Sequence, residues 1–372
     1  MPYYQTAADL VRRKNLTDRE SLRIRGLFLQ DTHQDTEAER VFARWALEYP
    51  RDPLPLFYRA TSLDRLGRIE EALPLGRRAI ELDPRRAVFV QANAERLLNA
   101  GRIAEAETEA RHLAAMDAND WTDVLLGALA VGRFEADEAW RRLEHLQAFG
   151  SERFRSLAFA LQACFRAEQK RWSEAERLYR EGIEFDAAQG LEPERFIKRR
   201  QLAQLYLRQG RKREAAAACA EIVSAKPGNL QMMETGCILA QAGEVPAARS
   251  CQSQALPGWP LYRHWTLRLE GEIALARGDA KRGLGAIRQA PLLRHDAWRE
   301  DIFAAALAAG DAAVAGAQLT ELFSNPGRAW RTAQFMGPGF LTYAAEAVNR
   351  FDIPEPLRKT AERLRMSFAT NE

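Results

Sequence analysis

A spacing of 34 residues recurs along the first third of the chain and constrains the fold more than any other feature. The stretch "GRIEEALPLGRRAIELDP" (67–84) is matched by "GRIAEAETEARHLAAMDA" (101–118) one such step later. Ala38, Ala72 and Ala106 keep the step, as do Gly67 with Gly101 and Pro50 with Pro84. A fixed period of this length means that one supersecondary unit is stacked on copies of itself. At 372 residues the chain exceeds the size at which a single core keeps growing, and the period selects a repeat architecture over separate domains. Apolar residues follow helical spacing within each unit, and no strand-like alternation runs long enough to compete.

The first unit shows what each position does. Gly26 is the small site of a first helix, Ala38 the small site of a second, Phe42 the bulky residue four later and Pro50 the stop. Leu202, Ala203, Tyr206, Gly210, Ala215, Ile222 and Pro227 repeat the pattern in a sixth unit. Gly236, Leu239, Gly243, Ala248, Ala255 and Pro260 follow 33 residues on. Two later units are looser, one with Gly271, Gly278, Gly283 and Ala290, the other with Gly310, Ala315 and Leu322, at spacings of 35 and 32. The middle is irregular, with Trp121 and Gly132 in one degenerate unit and Ala175 with Tyr179 in the next. The step from Ala175 to Ala215 is 40, so extra helical turns or a longer connection enter around 186–196, where Gly190 and Pro193 stand.

This pattern resembles the tetratricopeptide repeat, in which two antiparallel helices meet at a short glycine-containing turn. The fold expected is all-α: a right-handed α-solenoid of tandem antiparallel helix pairs, a tetratricopeptide superhelix of about eight or nine units. One pair is too short to be stable alone, so each buries a face on the next. The organisation expected is repeat units over 1–118, irregular repeat-like units over 119–190, further units over 191–323, and a loop with a helical C-terminal cap over 324–372. "LTDRESLRIRG" (16–26), "AERVFARWALEYPRDPLP" (38–55) and "LLGALAVGRFEADEAWRRLEHL" (125–146) are similar to the tetratricopeptide region attached to bacterial serine/threonine kinases and winged-helix regulators. That resemblance implies a sensory or partner-binding module of a bacterial signalling system.

The charges exclude other roles. Lys plus Arg (54) and Asp plus Glu (51) nearly cancel to +3 and are interspersed, which argues against a nucleic-acid or membrane-surface partner. The N-terminus lacks the apolar core of a signal peptide and no window reaches membrane-spanning length, so a cytoplasmic protein is expected. No phosphate loop, zinc-protease, serine-hydrolase or kinase motif occurs, and "GDAKRGLGAI" (278–287) reads as a turn and second helix. His33, His112, His145, His264 and His295 are scattered, and Glu70 with Glu71 favour a helix start. An enzyme is not expected, and no cofactor. Cys164, Cys219, Cys237 and Cys251 lack the close pairing of a metal site and read as buried thiols.

What remains is a binding face. The first helices of a repeat superhelix line its concave side, and in register these positions are Arg23, Phe57, Thr61, Arg65, Gln91, Glu95, Arg200, Gln204 and Arg208. Phe57 with Thr61, and Gln91 with Glu95, replace the Lys and Asn used by repeats that clamp acidic chaperone tails, and so suit an amphipathic or extended partner segment. "KRR" (198–200) and "RKR" (211–213) read either as a solvated helix face and charged turn or as groove arginines that grip a carboxylate or phosphate. Trp45 and Trp172 read as core or capping aromatics. Trp330, Phe335, Met336 and Phe340 lie in a stretch rich in Gly and Pro, either a loop before the C-terminal cap or, if exposed, an adhesive patch. The function expected is a non-catalytic scaffold or sensor holding a protein or peptide. The alternative is a small-molecule or signal-peptide sensor coupled to an effector domain, for which a closed apolar pocket is expected.

Overall fold

The computed structural model describes residues 16–116, 120–257, 261–290, 297–331 and 337–369. The chain divides into two compact units, residues 1–125 and 126–372. The N-terminal unit holds three antiparallel pairs: α1 (Asp18–Asp31) with α2 (Asp35–Glu48), α3 (Pro53–Arg65) with α4 (Ile69–Leu82), and α5 (Ala87–Asn99) with α6 (Ile103–Ala115). Helix α7 (Trp121–Gly132) straddles the division and is followed by α8 (Ala136–Phe149). The C-terminal unit continues with α9 (Glu152–Glu168) and α10 (Trp172–Gln189), α11 (Glu192–Arg208) and α12 (Lys212–Ser224), and α13 (Asn229–Ala242) and α14 (Val245–Gln254). Helices α15 (Tyr262–Ala276) with α16 (Ala280–Gln289), and α17 (Ala297–Ala309) with α18 (Ala312–Ser324), complete nine pairs among the described residues. The architecture is an all-α solenoid, as the period requires.

Local chemistry sets the helix ends. Thr17 and Glu20 form a reciprocal capping box at the start of α1, satisfying two backbone donors that a helix leaves orphaned. Asp52 caps α3, with Pro53 at the first helical position. Between the two helices of each described pair one residue is left-handed, with φ between 58° and 95°. Gly67, Gly101, Gly210, Gly243, Gly278 and Gly310 take it without steric cost, whereas His33, Phe134 and Lys170 take it with a side chain. That single turn conformation, recurring at the repeat step, sends the second helix back along the first.

Packing follows the small-and-bulky rule. Ala38, Phe42 and Trp45 are fully buried with Leu22 in the first pairs. A Cβ added at Gly26 would lie 2.3 Å from the Phe42 ring, so the glycine makes room for that aromatic. In the C-terminal unit Ala203, Cys219, Met233, Leu269 and Ala248 share one core, and all four cysteines are buried free thiols. The 40-residue step arises from extra helical turns, because α9, α10 and α11 have 17, 18 and 17 residues and the α10–α11 connection is short.

The added length holds a buried ion pair. Lys198 Nζ donates to Asp186 Oδ2 and to Ser156 Oγ, each at 2.6 Å, with both charged side chains excluded from solvent. A Cβ at Gly182 would lie 2.6 Å from Lys198 Cδ, so the glycine leaves the channel through which the lysine stem passes. A solvated reading of "KRR" is therefore corrected at Lys198 and Arg200, both buried. Arg211, in the other basic run, stays partly exposed in its turn and pairs with Glu176 and Glu214.

Beyond α18 the chain folds back on its own unit through α19 (Pro326–Arg331), α20 (Phe340–Ala347), a 3-10 turn (Val348–Arg350) and α21 (Glu355–Phe368). Phe165 of α9 stands edge-on to Trp330 at 5.7 Å and to Phe368 at 5.1 Å. Trp330 and Phe340 are each 2% exposed, so the adhesive-patch alternative is corrected for these two: the aromatics on α9 and α17 bury them. Phe335, Met336 and His295 lie outside the described residues. No described helix is long and apolar enough to cross a membrane.

Candidate functional site: the first-helix faces

In the N-terminal unit, α1, α3 and α5 carry six of the candidate residues. Arg23 is exposed on α1, whereas Phe57, Thr61, Gln91 and Glu95 are half-buried on α3 and α5. The helices are tied by bonds that reach back one repeat. Arg65 Nη1 donates to the Gln30 carbonyl at 2.8 Å and pairs with Asp35, and Arg96 Nη2 donates to Thr61 Oγ1 at 2.9 Å. The two hydrogen bonds each span 35 residues, so the repeat itself brings the partners together. The Arg96 guanidinium also lies 5.8 Å from the Phe57 ring, which packs on Phe89 at 5.0 Å. Gln91 Nε2 donates to Glu95 Oε1 at 3.1 Å.

Arg96 is the residue that register arguments miss. It is 3% exposed, and burial lowers the pKa of its guanidinium. It fixes Phe57 and Thr61 from below, so the face is preformed. The signal lay in Asn93 and Arg96, which fall at helical spacing from the buried Phe89, Val90 and Leu97 in "AVFVQANAERLLN". His33, at the left-handed turn, has its pKa lowered first by burial and then by Arg65.

In the C-terminal unit Arg200, Gln204 and Arg208 lie on α11 and are drawn into a different setting. Arg200 is buried, donates to Gln204 Oε1 at 3.2 Å and stands 3.9 Å from Glu234 of α13. Arg208 pairs with Glu300 of α17, three pairs further along the chain. Arg268 of α15 pairs with Asp301, and burial raises the pKa of both Asp301 and Glu272, which share that cation. Glu168, at the end of α9, is fully buried and accepts the backbone N–H groups of Leu341 (3.2 Å) and Thr342 (2.7 Å). Burial pushes its carboxyl up to about 7, and those N–H groups with Arg208 hold it from going higher. Charge reversal at Arg200 and Arg208 therefore perturbs packing within this unit and is a poor reporter of binding.

Among the described residues no group of three or more His, Cys, Asp and Glu side chains is placed to hold a metal ion. A surface hollow of about 300 Å³ is lined by charged side chains, including Glu346, Glu355, Arg358, Lys359 and Glu362. It lacks the closed apolar character that a small-molecule sensor calls for.

Stacked antiparallel pairs, turned over a left-handed residue at steps near 34, define the class as a helical-repeat solenoid. Several solved structures are similar to the chain. A tetratricopeptide repeat protein from Parabacteroides merdae is 16% identical, with 77% of this chain and 98% of that one covered and a TM-score of 0.46. The human IFIT1 dimer with PPP-AAAA is 15% identical over 85% and 76% of the two chains, with a TM-score of 0.44. YrrB, described as a TPR protein with an unusual peptide-binding site, is 16% identical over 66% and 97%, with a TM-score of 0.26. No protein-family model and no curated protein matches the chain.

Proposed function

We propose that the chain is a non-catalytic scaffold that binds a protein or peptide on the first-helix face of its N-terminal unit. The observation that carries this reading is the set Arg23, Phe57, Thr61, Gln91 and Glu95 on successive first helices, with Phe57 and Thr61 held by the buried Arg96. Phe57 supplies an apolar anchor and the flanking amide, hydroxyl and charged groups supply orientation, a division of labour suited to an amphipathic or extended segment. Because Arg65 and Arg96 already fix the helices, the partner meets a preformed surface and less ordering entropy is lost on binding. The likeness of "LTDRESLRIRG" and "AERVFARWALEYPRDPLP" to repeat regions of bacterial kinases and regulators supports a place in a bacterial signalling or regulatory system, in the cytoplasm.

The test is quantitative affinity capture with the intact chain and with an Arg23→Glu/Gln91→Ala variant of equal helical content. A protein retained by the first and lost from the second supports the reading. Identical captured sets from the two would sink it.

A further inference from the structure

Two features of the C-terminal unit converge on the segment Gly337–Ala347, and a third holds both that segment and α21, the helix packed against it. The first is a pair of carboxylate receivers. Glu168 accepts from the N–H groups of Leu341 and Thr342, while Thr342 Oγ1 donates to the Glu168 carbonyl at 2.8 Å. Glu300 accepts from the Gly337 N–H as well as from Arg208. At Glu168 the opening N–H groups of α20 have no acceptor of their own and the buried carboxylate is costly without donors, so each side completes the other.

The second feature is an aromatic seat. Phe340 meets the Phe303 ring at 6.1 Å, and the Arg208 guanidinium lies 5.8 Å from Phe340 and 5.0 Å from Tyr343. Gly339 is left-handed at φ 78°, and a Cβ there would stand 3.0 Å from the Trp172 ring. The third is a pair of posts at strained turns. Lys170, left-handed at φ 58°, reaches Glu346 at 2.6 Å, and Phe134, left-handed at φ 67°, lies 4.2 Å under Arg363 of α21. At both turns the side chain that glycine would lack is the one that touches the C-terminal helices.

We propose that Gly337–Ala347 is an intramolecular occupant of the first-helix face of residues 126–372. The face takes an outside segment of the same chemistry once its own is displaced: two successive free backbone N–H groups beside an aromatic side chain. Every contact described is one that a second polypeptide can supply. The proposal rests on the scaffold reading for the existence of an outside partner, and it adds a second recognition surface, closed by the chain itself.

The experiment is fluorescence anisotropy with a labelled peptide of sequence Gly337–Arg350, titrated with the full-length protein and two full-length variants. Phe340→Ala weakens the resident segment only, since the peptide keeps its phenylalanine. Phe134→Gly removes the hold on Arg363 and so loosens α21, on which the resident α20 packs; the peptide lacks Arg363, and the turn is one where glycine is favoured. If the resident segment competes, freeing the face raises apparent peptide affinity by the fraction released, about fivefold or more for each variant. Equal affinity for all three proteins, or binding by none, overturns the proposal. Should Phe340→Ala lose helical circular dichroism, Phe134→Gly alone decides. Failure of the scaffold reading itself is read separately, in the Arg23→Glu/Gln91→Ala capture.

Discussion

In the N-terminal unit Phe57, Thr61, Gln91 and Glu95 remain half-exposed on their first helices, whereas in the C-terminal unit Arg200 is buried and Arg208 lies against Glu300, Phe340 and Tyr343. The same helix pair thus yields an accessible face in one region and a covered face in the other. The difference comes from what the chain folds back over the face, since the pairs themselves turn through the same left-handed residue in both units. The arginines differ accordingly. Arg65 and Arg96 reach to the preceding first helix, whereas Arg208 crosses to a helix three pairs on.

The comparison breaks most severely at Lys198. Lys198→Met leaves Asp186 buried without its cation and is expected to cost about 3–5 kcal/mol, seen as a lower urea midpoint for the C-terminal unit. Adding Asp186→Leu restores most of it. Equal losses in single and double variants would show that the ion pair does not govern this region, and nothing in the N-terminal unit is expected to respond to either change.

A pH titration sharpens the contrast next. Glu168 titrates at about 7 in the folded chain against an ordinary value of 4.5, so the folded state holds its proton more tightly than the unfolded state does. Its contribution to stability is fully present below about pH 4.5 and is lost as pH rises through 7, a span worth about 3 kcal/mol. Wild type should therefore unfold at lower urea concentration at pH 8 than at pH 5.5, with a smaller difference in Glu168→Gln. Glu272 and Asp301, also raised by burial, contribute slope of the same sign in both proteins. Indistinguishable pH profiles for wild type and Glu168→Gln would remove Glu168 as the titrating group.

In the N-terminal unit the largest single effect expected is from overpacking. Gly26→Ala forces the buried Phe42 ring to move and should cost about 1–3 kcal/mol by denaturant titration. A neutral result would mean that the first pair has slack that the 2.3 Å approach denies. Smallest of all, Arg23→Glu on the exposed face should change stability by less than about 0.5 kcal/mol while altering partner capture. A large drop in melting temperature would place Arg23 in the fold rather than on a binding face.

The sequence was legible wherever an interaction recurs at the repeat step. Gly26, Ala38 and Phe42 announced a close helix approach, and Gly67 and Gly101 announced the turns, because steric fit between neighbouring helices leaves the same small and bulky residues in every unit. It was less legible where a position departs from the pattern. At Lys170 and Phe134 a side chain replaces the turn glycine, and only the structure shows that these side chains meet Glu346 and Arg363. "KRR" looked like a solvated face because the Asp186 that neutralises Lys198 lies in extra helical turns outside the period.

By itself, then, the sequence determined the all-α class, the pairing of helices and the small and bulky residues that pack them, since these depend on neighbours at a fixed separation. Tertiary structure alone decided which first-helix face is covered. The bonds from Glu168 to Leu341 and Thr342 join residues 173 and 174 positions apart, and a period of 34 carries no information about contacts at that range. They form because a buried carboxylate and the orphaned donors of a helix end each lower the other's desolvation cost when the chain brings them together.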